Sequence, residues 1–148
     1  MPVAMDTASF LAAADQHCQR QGARLTSLRR QVLELVLSYD GVVKAYQLLA
    51  DLQRQRGIAA PPTVYRALDF LVDVGLLHKV DALNGFIVCR HVGCSHEGLI
   101  LVCSQCGKVQ ELDASPMLAV LREQAGGEGF AIAPQNLLLT GLCQGCRT

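Results

Sequence analysis

Two C-x2-C turns, Cys103-Ser-Gln-Cys106 and Cys143-Gln-Gly-Cys146, constrain this sequence more than any other feature in it. Each turn points two thiolates at one centre, and two turns complete a tetrahedral set of soft ligands suited to zinc. Gly107 and Gly145 are expected to give the turns backbone angles that other residues resist. Thiol redox chemistry is the competing reading. It calls for one C-x-x-C opening a helix after a strand, not two of matching form. The set is therefore read as a structural site, because protein fills all four positions and leaves none for water or substrate.

The rest of the composition agrees with a folded intracellular chain. There are seven cysteines in all, an odd number, and a reducing compartment disfavours disulfides. A hydrophobic content of 51% over 148 residues suits one ordinary domain or two small ones. No apolar run approaches the roughly 18 residues of a membrane span. The start, Met1-Pro2-Val3-Ala4-Met5-Asp6, lacks the basic and apolar regions of a signal peptide. A cytoplasmic location with no membrane partner is expected. Thirteen basic and thirteen acidic residues cancel, so net charge argues for no particular partner. Locally, Arg20, Arg24, Arg29 and Arg30 fall in a stretch free of acids, which reads as a basic patch or a solvated helix face.

Character changes near residue 90. Helical patterns dominate before it, and five of the seven cysteines follow it, among short β-like runs. We expect one domain over residues 1–89, a hinge over 90–96 and a second domain over 97–148. In the first, Leu11, Ala14 and Cys18 mark a helix ended by Gly22. Thr26 or Ser27 caps a second helix carrying Leu28, Val32, Leu35 and Val36. Ala45, Leu48, Leu49 and Leu52 define a third. Pro61-Pro62 opens a fourth with the stripe Val64, Ala67, Leu68, Leu71 and Val72, closed by Gly75. Strands are expected over 76–80 and 86–90, joined by a two-residue Asn84-Gly85 turn. Helices followed by a hairpin is the order of a winged helix-turn-helix domain.

In the second half, strands are expected over 99–102, 109–112, 130–132 and 137–140. Ser115 should cap a helix with Pro116 as its first residue, ended by Gly126-Gly127. The fold class is α+β: a winged helix-turn-helix domain, then a small α/β domain with a four-cysteine zinc site. A core of about 55 residues is small enough to need a metal staple or a dimer partner.

A second group of potential ligands surrounds the hinge: His78, Cys89, His91, Cys94, His96 and Glu111. Three of the four histidines lie between 78 and 96. A turn at Asn84-Gly85 pairs Val80 with Cys89 and His78 with His91, so His78, Cys89 and His91 share one face. Each alone is an ordinary packed or solvated residue; together they suggest a second metal site.

Arg24-Leu25-Thr26, the run Pro61-Pro62-Thr63-Val64-Tyr65-Arg66-Ala67-Leu68 and Cys103-Ser-Gln-Cys106-Gly107 together resemble the ferric uptake regulator (Fur) family. The run Pro61 to Phe70, with Gly75, Leu76 and His78-Lys79-Val80, resembles its zinc uptake regulator (Zur) branch. The likeness extends from about Phe10 to Cys146. It implies a DNA-binding winged helix, a dimerisation domain and two zinc ions per protomer. It implies structural zinc at Cys103, Cys106, Cys143 and Cys146, and regulatory zinc at His78, Cys89, His96 and Glu111. The resemblance favours His96 there, since its place seven residues before Cys103 is that of a ligand in zinc-sensing members, whereas the hairpin pairing favours His91. The family's usual Pro after Arg-Leu-Thr is Ser27 here, and the His-rich run of iron-sensing members is replaced by His91-Val-Gly-Cys94-Ser-His96. Cys89, a soft ligand, points to zinc rather than iron.

The implied function is a zinc-responsive repressor of zinc-uptake genes. Its zinc-loaded homodimer would bind palindromic double-stranded operator DNA, with no small-molecule substrate and no enzymatic role. The helix opened by Pro61 would enter the major groove with Thr63, Tyr65 and Arg66 at the base edges. Tyr46, Arg24 and Arg29 are candidates for backbone or minor-groove contacts. The rivals are a catalytic zinc enzyme, a zinc-stapled interaction module and, within the family, an iron or peroxide sensor.

Overall fold

The computed structural model describes residues 6–57, 60–89, 98–132 and 137–147. The chain divides into two compact units, Met1–Cys94 and Ser95–Thr148. Among the described residues no helix is long and apolar enough to cross a membrane.

Among the described residues, the first unit packs four helices on a three-stranded sheet. Helix α1 (Thr7–Arg20) starts where the Asp6 carboxylate accepts from Ser9 N–H. Helix α2 (Ser27–Ser38) is capped by Thr26, whose Oγ1 accepts from Arg29 N–H, so the cap is Thr26 rather than Ser27. Strand β1 (Val43–Lys44) leads into helix α3 (Ala45–Arg56), whose first turn is closed by Gln47 accepting from Lys44 N–H. Helix α4 (Pro61–Asp73) carries its two prolines in the first turn, where a missing N–H is tolerated. Val64, Ala67, Leu68 and Leu71 bury its apolar stripe against Val32, Leu33, Leu48 and Leu52 in one continuous core.

The hairpin differs from the sequence reading. Strands β2 (Leu77–Val80) and β3 (Gly85–Val88) are joined by residues 81–84, not by Asn84-Gly85 alone. Asp81–Leu83 form a 3-10 turn, and Asn84 exits it in the left-handed region at φ 50°. The register is Val80 with Gly85 and His78 with Ile87, replacing the expected pairing of Val80 with Cys89. The longer turn accounts for the shift, and on the other side of β3 lies an unforeseen strand, β1. It pairs Val43 with Phe86 and Lys44 with Gly85, so β3 is central in the order β1-β3-β2. A Cβ on Gly85 would lie 2.6 Å from Val42 and 2.7 Å from the Val43 carbonyl oxygen. Gly85 is thus a strand residue pressed against a neighbouring backbone.

In the second unit, β4 (Gly98–Cys103) and β5 (Val109–Asp113) form an antiparallel hairpin. Helix α5 (Ser115–Gly127) crosses over to β6 (Leu137–Gly141), which runs parallel to β4 on its other side. Ser115 is the first helical residue of α5 and Ala114 its N-cap, contrary to the sequence reading. The Asp113 carboxylate takes the capping part, accepting from both the N–H and the hydroxyl of Ser115. Leu99, Ala114 and Leu118 form the core, with Leu101 and Leu137 against it. Residues 130–132 are not a strand. Phe130 is 68% exposed, and its N–H closes the end of α5 on the Ala125 carbonyl.

Candidate metal centre and nucleic-acid face

The four cysteines meet because β4 and β6 run side by side. Cys103 ends β4 opposite Gly141, which brings the turn holding Cys143 and Cys146 alongside the β4–β5 turn. Ser104 ties the two together, its N–H and hydroxyl both reaching the Gly141 carbonyl at 2.8 and 3.2 Å. Gly107 closes the first turn at φ 77°, donating to the Cys103 carbonyl at 2.9 Å. The second is a 3-10 turn over Gln144–Cys146, closed by Cys146 N–H on the Cys143 carbonyl. Gly145 is absent from the positive-φ glycines, so the left-handed geometry expected of both glycines holds for Gly107 alone.

The four Sγ atoms lie within 4.8 Å of one another, and Cys106 Sγ and Cys143 Sγ are 3.7 Å apart. A tetrahedral zinc site with bonds of about 2.3 Å has S···S edges of roughly 3.8 Å. The cluster fits that ion, and all four cysteines are free thiols rather than disulfide partners. Backbone N–H groups, led by that of Cys106, hold the Cys103 thiol at about 6. The Cys143 thiol is also lowered, first by its bond with Cys146. Cys146, facing the sulfurs of Cys143 and Cys103, is pushed up to about 12. Groups this close share their protons, so the thiols act as one set rather than as independent sites. A dication replaces those protons without the like-charge penalty. Among the described residues this is the only group of three or more potential ligands within ligating reach.

The second expected ligand set is partly visible. His78 lies on β2 opposite Ile87, and Cys89 N–H bonds the Leu76 carbonyl at 2.9 Å. Cys89 is two residues beyond Ile87, so His78 and Cys89 are diagonal neighbours on one face of the hairpin. Cys89 is buried, and the Nε2 atom of His78 is shut away from solvent. Glu111 is half-buried on β5, opposite Ile100. His91, Cys94 and His96 lie outside the described residues.

On α4, the face opposite the apolar stripe presents Thr63, Tyr65 and Arg66, all exposed. Tyr65 is 46% exposed. Pro61 and Pro62 have no N–H, and the amides of Thr63 and Val64 bond back to the Ala60 carbonyl. This helix start therefore offers few free backbone donors, and what it presents outward is side chains. Tyr46, in the first turn of α3, is 65% exposed, and Arg24 is exposed. The expected basic patch is partly engaged within the fold. Arg30 pairs with Glu34 at 3.4 Å, and the Arg29 guanidinium lies over the Phe70 ring.

The model of the ferric uptake regulator family matches residues 20–140. The chain is 37% identical to the zinc uptake regulation protein of Escherichia coli (strain K12) over 141 residues, covering 95% of this chain and 82% of that one. It is similar to a solved zinc uptake regulator complexed with zinc and DNA, at 36% identity and a TM-score of 0.82 over 95% of both chains. It is also similar to holo XcZur, at 38% identity and a TM-score of 0.76 over 93% of this chain and 96% of that one. With the four-cysteine cluster and the exposed Tyr65-Arg66 helix in place, the chain belongs to the ferric uptake regulator family.

Proposed function

We propose that this chain is a zinc-responsive, DNA-binding repressor of zinc-uptake genes, acting as a homodimer on palindromic operators. The observation that carries the reading is its likeness, over 95% of both chains, to a zinc uptake regulator solved with zinc and DNA. Residues 1–89 would bind DNA, 90–96 serve as hinge and 97–148 form the dimer. Thr63, Tyr65 and Arg66 on α4 would read base edges, with Arg66 suited to a bidentate contact with guanine. Tyr46 and Arg24 would take backbone or minor-groove contacts. Among the described residues of the second unit, seven large apolar side chains stand exposed: Leu112, Met117, Val120, Leu121, Phe130, Leu139 and Leu142. That much exposed apolar surface supports the dimer.

Two zinc ions per protomer are proposed. Cys103, Cys106, Cys143 and Cys146 would hold the structural ion, leaving no open position for catalysis. This supports a regulator rather than an enzyme. His78, Cys89, His96 and Glu111 would hold the regulatory ion, with His91 as the rival to His96. When bound, zinc supplies crosslinks that the protein's small cores cannot. Of the regulatory set, His78 and Cys89 belong to the hairpin after α4 and Glu111 to β5, and zinc there would act on an equilibrium between DNA-binding and non-binding states. A ligand shifts such an equilibrium only by its difference in affinity between states.

A gel shift tests the reading, using a duplex enriched from a randomised pool by zinc-loaded protein. Binding is expected with zinc and not with iron or manganese at matched free concentrations. Cys89→Ser should abolish the zinc response while leaving the four-cysteine site filled. An undiminished response in Cys89→Ser would remove Cys89 from the regulatory set, and a response to iron alone would overturn the zinc assignment.

A further inference from the structure

Arg29 stands at a junction of three parts of the first unit. It lies in the first turn of α2, with its N–H on the capping Thr26 hydroxyl. Its guanidinium carbon is 3.6 Å from the centroid of the Phe70 ring on α4. Its Nη1 donates to the Arg24 carbonyl at 2.7 Å. The planar fork thus stacks on the recognition helix with its face while its edge holds the segment that carries Arg24. A stacked, hydrogen-bonded guanidinium has little freedom left to reach a phosphate.

Resting on the proposed DNA-binding function, we propose that Arg29 is a positioning residue that locks Arg24 in register with the reading face of α4, and is not itself a DNA contact. Ala23 and Leu25 pack against the core on either side of Arg24, so the segment stays folded without the guanidinium. What the guanidinium fixes is the direction of Arg24 relative to Arg66. Phe70 is one turn beyond Arg66 on the same helix, so the Phe70 ring transmits the position of α4 to Arg24 through a single side chain. Lysine cannot replace this arrangement, because an ammonium lacks both the stacking plane and the fork.

Anisotropy titrations of the zinc-loaded, full-length protein test the assignment, with the enriched duplex and a scrambled duplex of equal length as probes. Arg29→Ala, Arg29→Lys and Phe70→Leu should each weaken binding to the enriched duplex by roughly tenfold, the scale of one lost stacked or positioned contact. Binding to the scrambled duplex and the melting temperature should change little. Phe70→Tyr keeps the ring and should bind as wild type. Arg29→Ala with Phe70→Leu should be no worse than either alone. The slope of log K against log salt on the enriched duplex should fall in magnitude by about one in Arg29→Ala, Arg29→Lys, Phe70→Leu and Arg24→Ala alike, because each loses the Arg24 contact. Arg24→Ala should add nothing in the Phe70→Leu background. The proposal is overturned if Arg29→Ala lowers the slope by about one while Arg29→Lys and Phe70→Leu bind as wild type, since Arg29 is then a phosphate contact. If wild-type protein enriches no duplex from the pool, the DNA-binding reading itself fails.

Discussion

At the scale of single residues, the chemistry was legible wherever it depended on local spacing. The stripe Val64, Ala67, Leu68 and Leu71 fixes which side of α4 is inside, so Thr63, Tyr65 and Arg66 could be placed outside from periodicity alone. Arg66→Ala should cost about 1–3 kcal/mol of operator binding and relax the preference at one base pair. Wild-type affinity and preference in competition titrations would remove Arg66 from the reading face. Arg29 was not legible, because its role depends on how α2 crosses α4 and on which ring lies beneath it. The unequal thiols were equally hidden, since the backbone amides of Cys106 and Cys143 that lower Cys103 belong to two distant turns. Cys103 is lowered from 9.0 to about 6, so its thiolate favours the folded metal-free unit above pH 9, and that contribution is lost as pH falls through 6. Zinc binding near pH 7.5 should therefore release fewer than four protons, rising toward four below about pH 6. Calorimetry in buffers of different ionisation enthalpy measures this directly. Release of four protons at pH 7.5 would mean that the thiols are not pre-organised.

At the scale of elements, helices followed from their stripes and most of their caps, the start of α5 excepted, while strand pairing did not. Asn84 was legible as a turn residue, but the 3-10 turn before it was not, and β1 was too short to show any period. Two residues, Val43 and Lys44, take up the edge of β3 and make Gly85 part of the sheet. His78 and Cys89 still share a face, because a register shift by an even number of residues preserves sidedness. The parallel β4–β6 pairing that assembles the four cysteines is a contact across α5, and nothing in local sequence specifies it. Gly85→Ala probes the hairpin as an element. Its new methyl would meet the Val43 backbone, which has no rotamer through which to yield. A loss of about 1–3 kcal/mol in urea unfolding is expected, as for other overpacked sites. If Gly85→Ala instead melts as wild type, the β1–β3 contact is looser than described.

At the scale of the molecule, each unit raises a different problem of burial. Among the described residues, the first has an extended core shared by α1 to α4 and the sheet, whereas the second gathers Leu99, Ala114 and Leu118 into a small cluster, with Ile100 and Val102 also buried on β4. Met117, Val120 and Leu121 repeat at helical spacing along α5 and are 44, 53 and 42% exposed. Such a stripe on a small unit is the surface a second copy would cover, and a palindromic operator requires two reading helices held one turn of DNA apart. Val120→Asp places a charge in the middle of that stripe without touching a cysteine. It should shift the zinc-loaded protein from dimer to monomer in sedimentation experiments and weaken operator binding far more than scrambled-duplex binding. Zinc content at the four-cysteine site should stay the same, because that site is assembled within one chain. A Val120→Asp protein that remains dimeric would place the interface elsewhere. One that loses its structural zinc together with its dimer would show that the second unit needs its partner before its own metal centre can form.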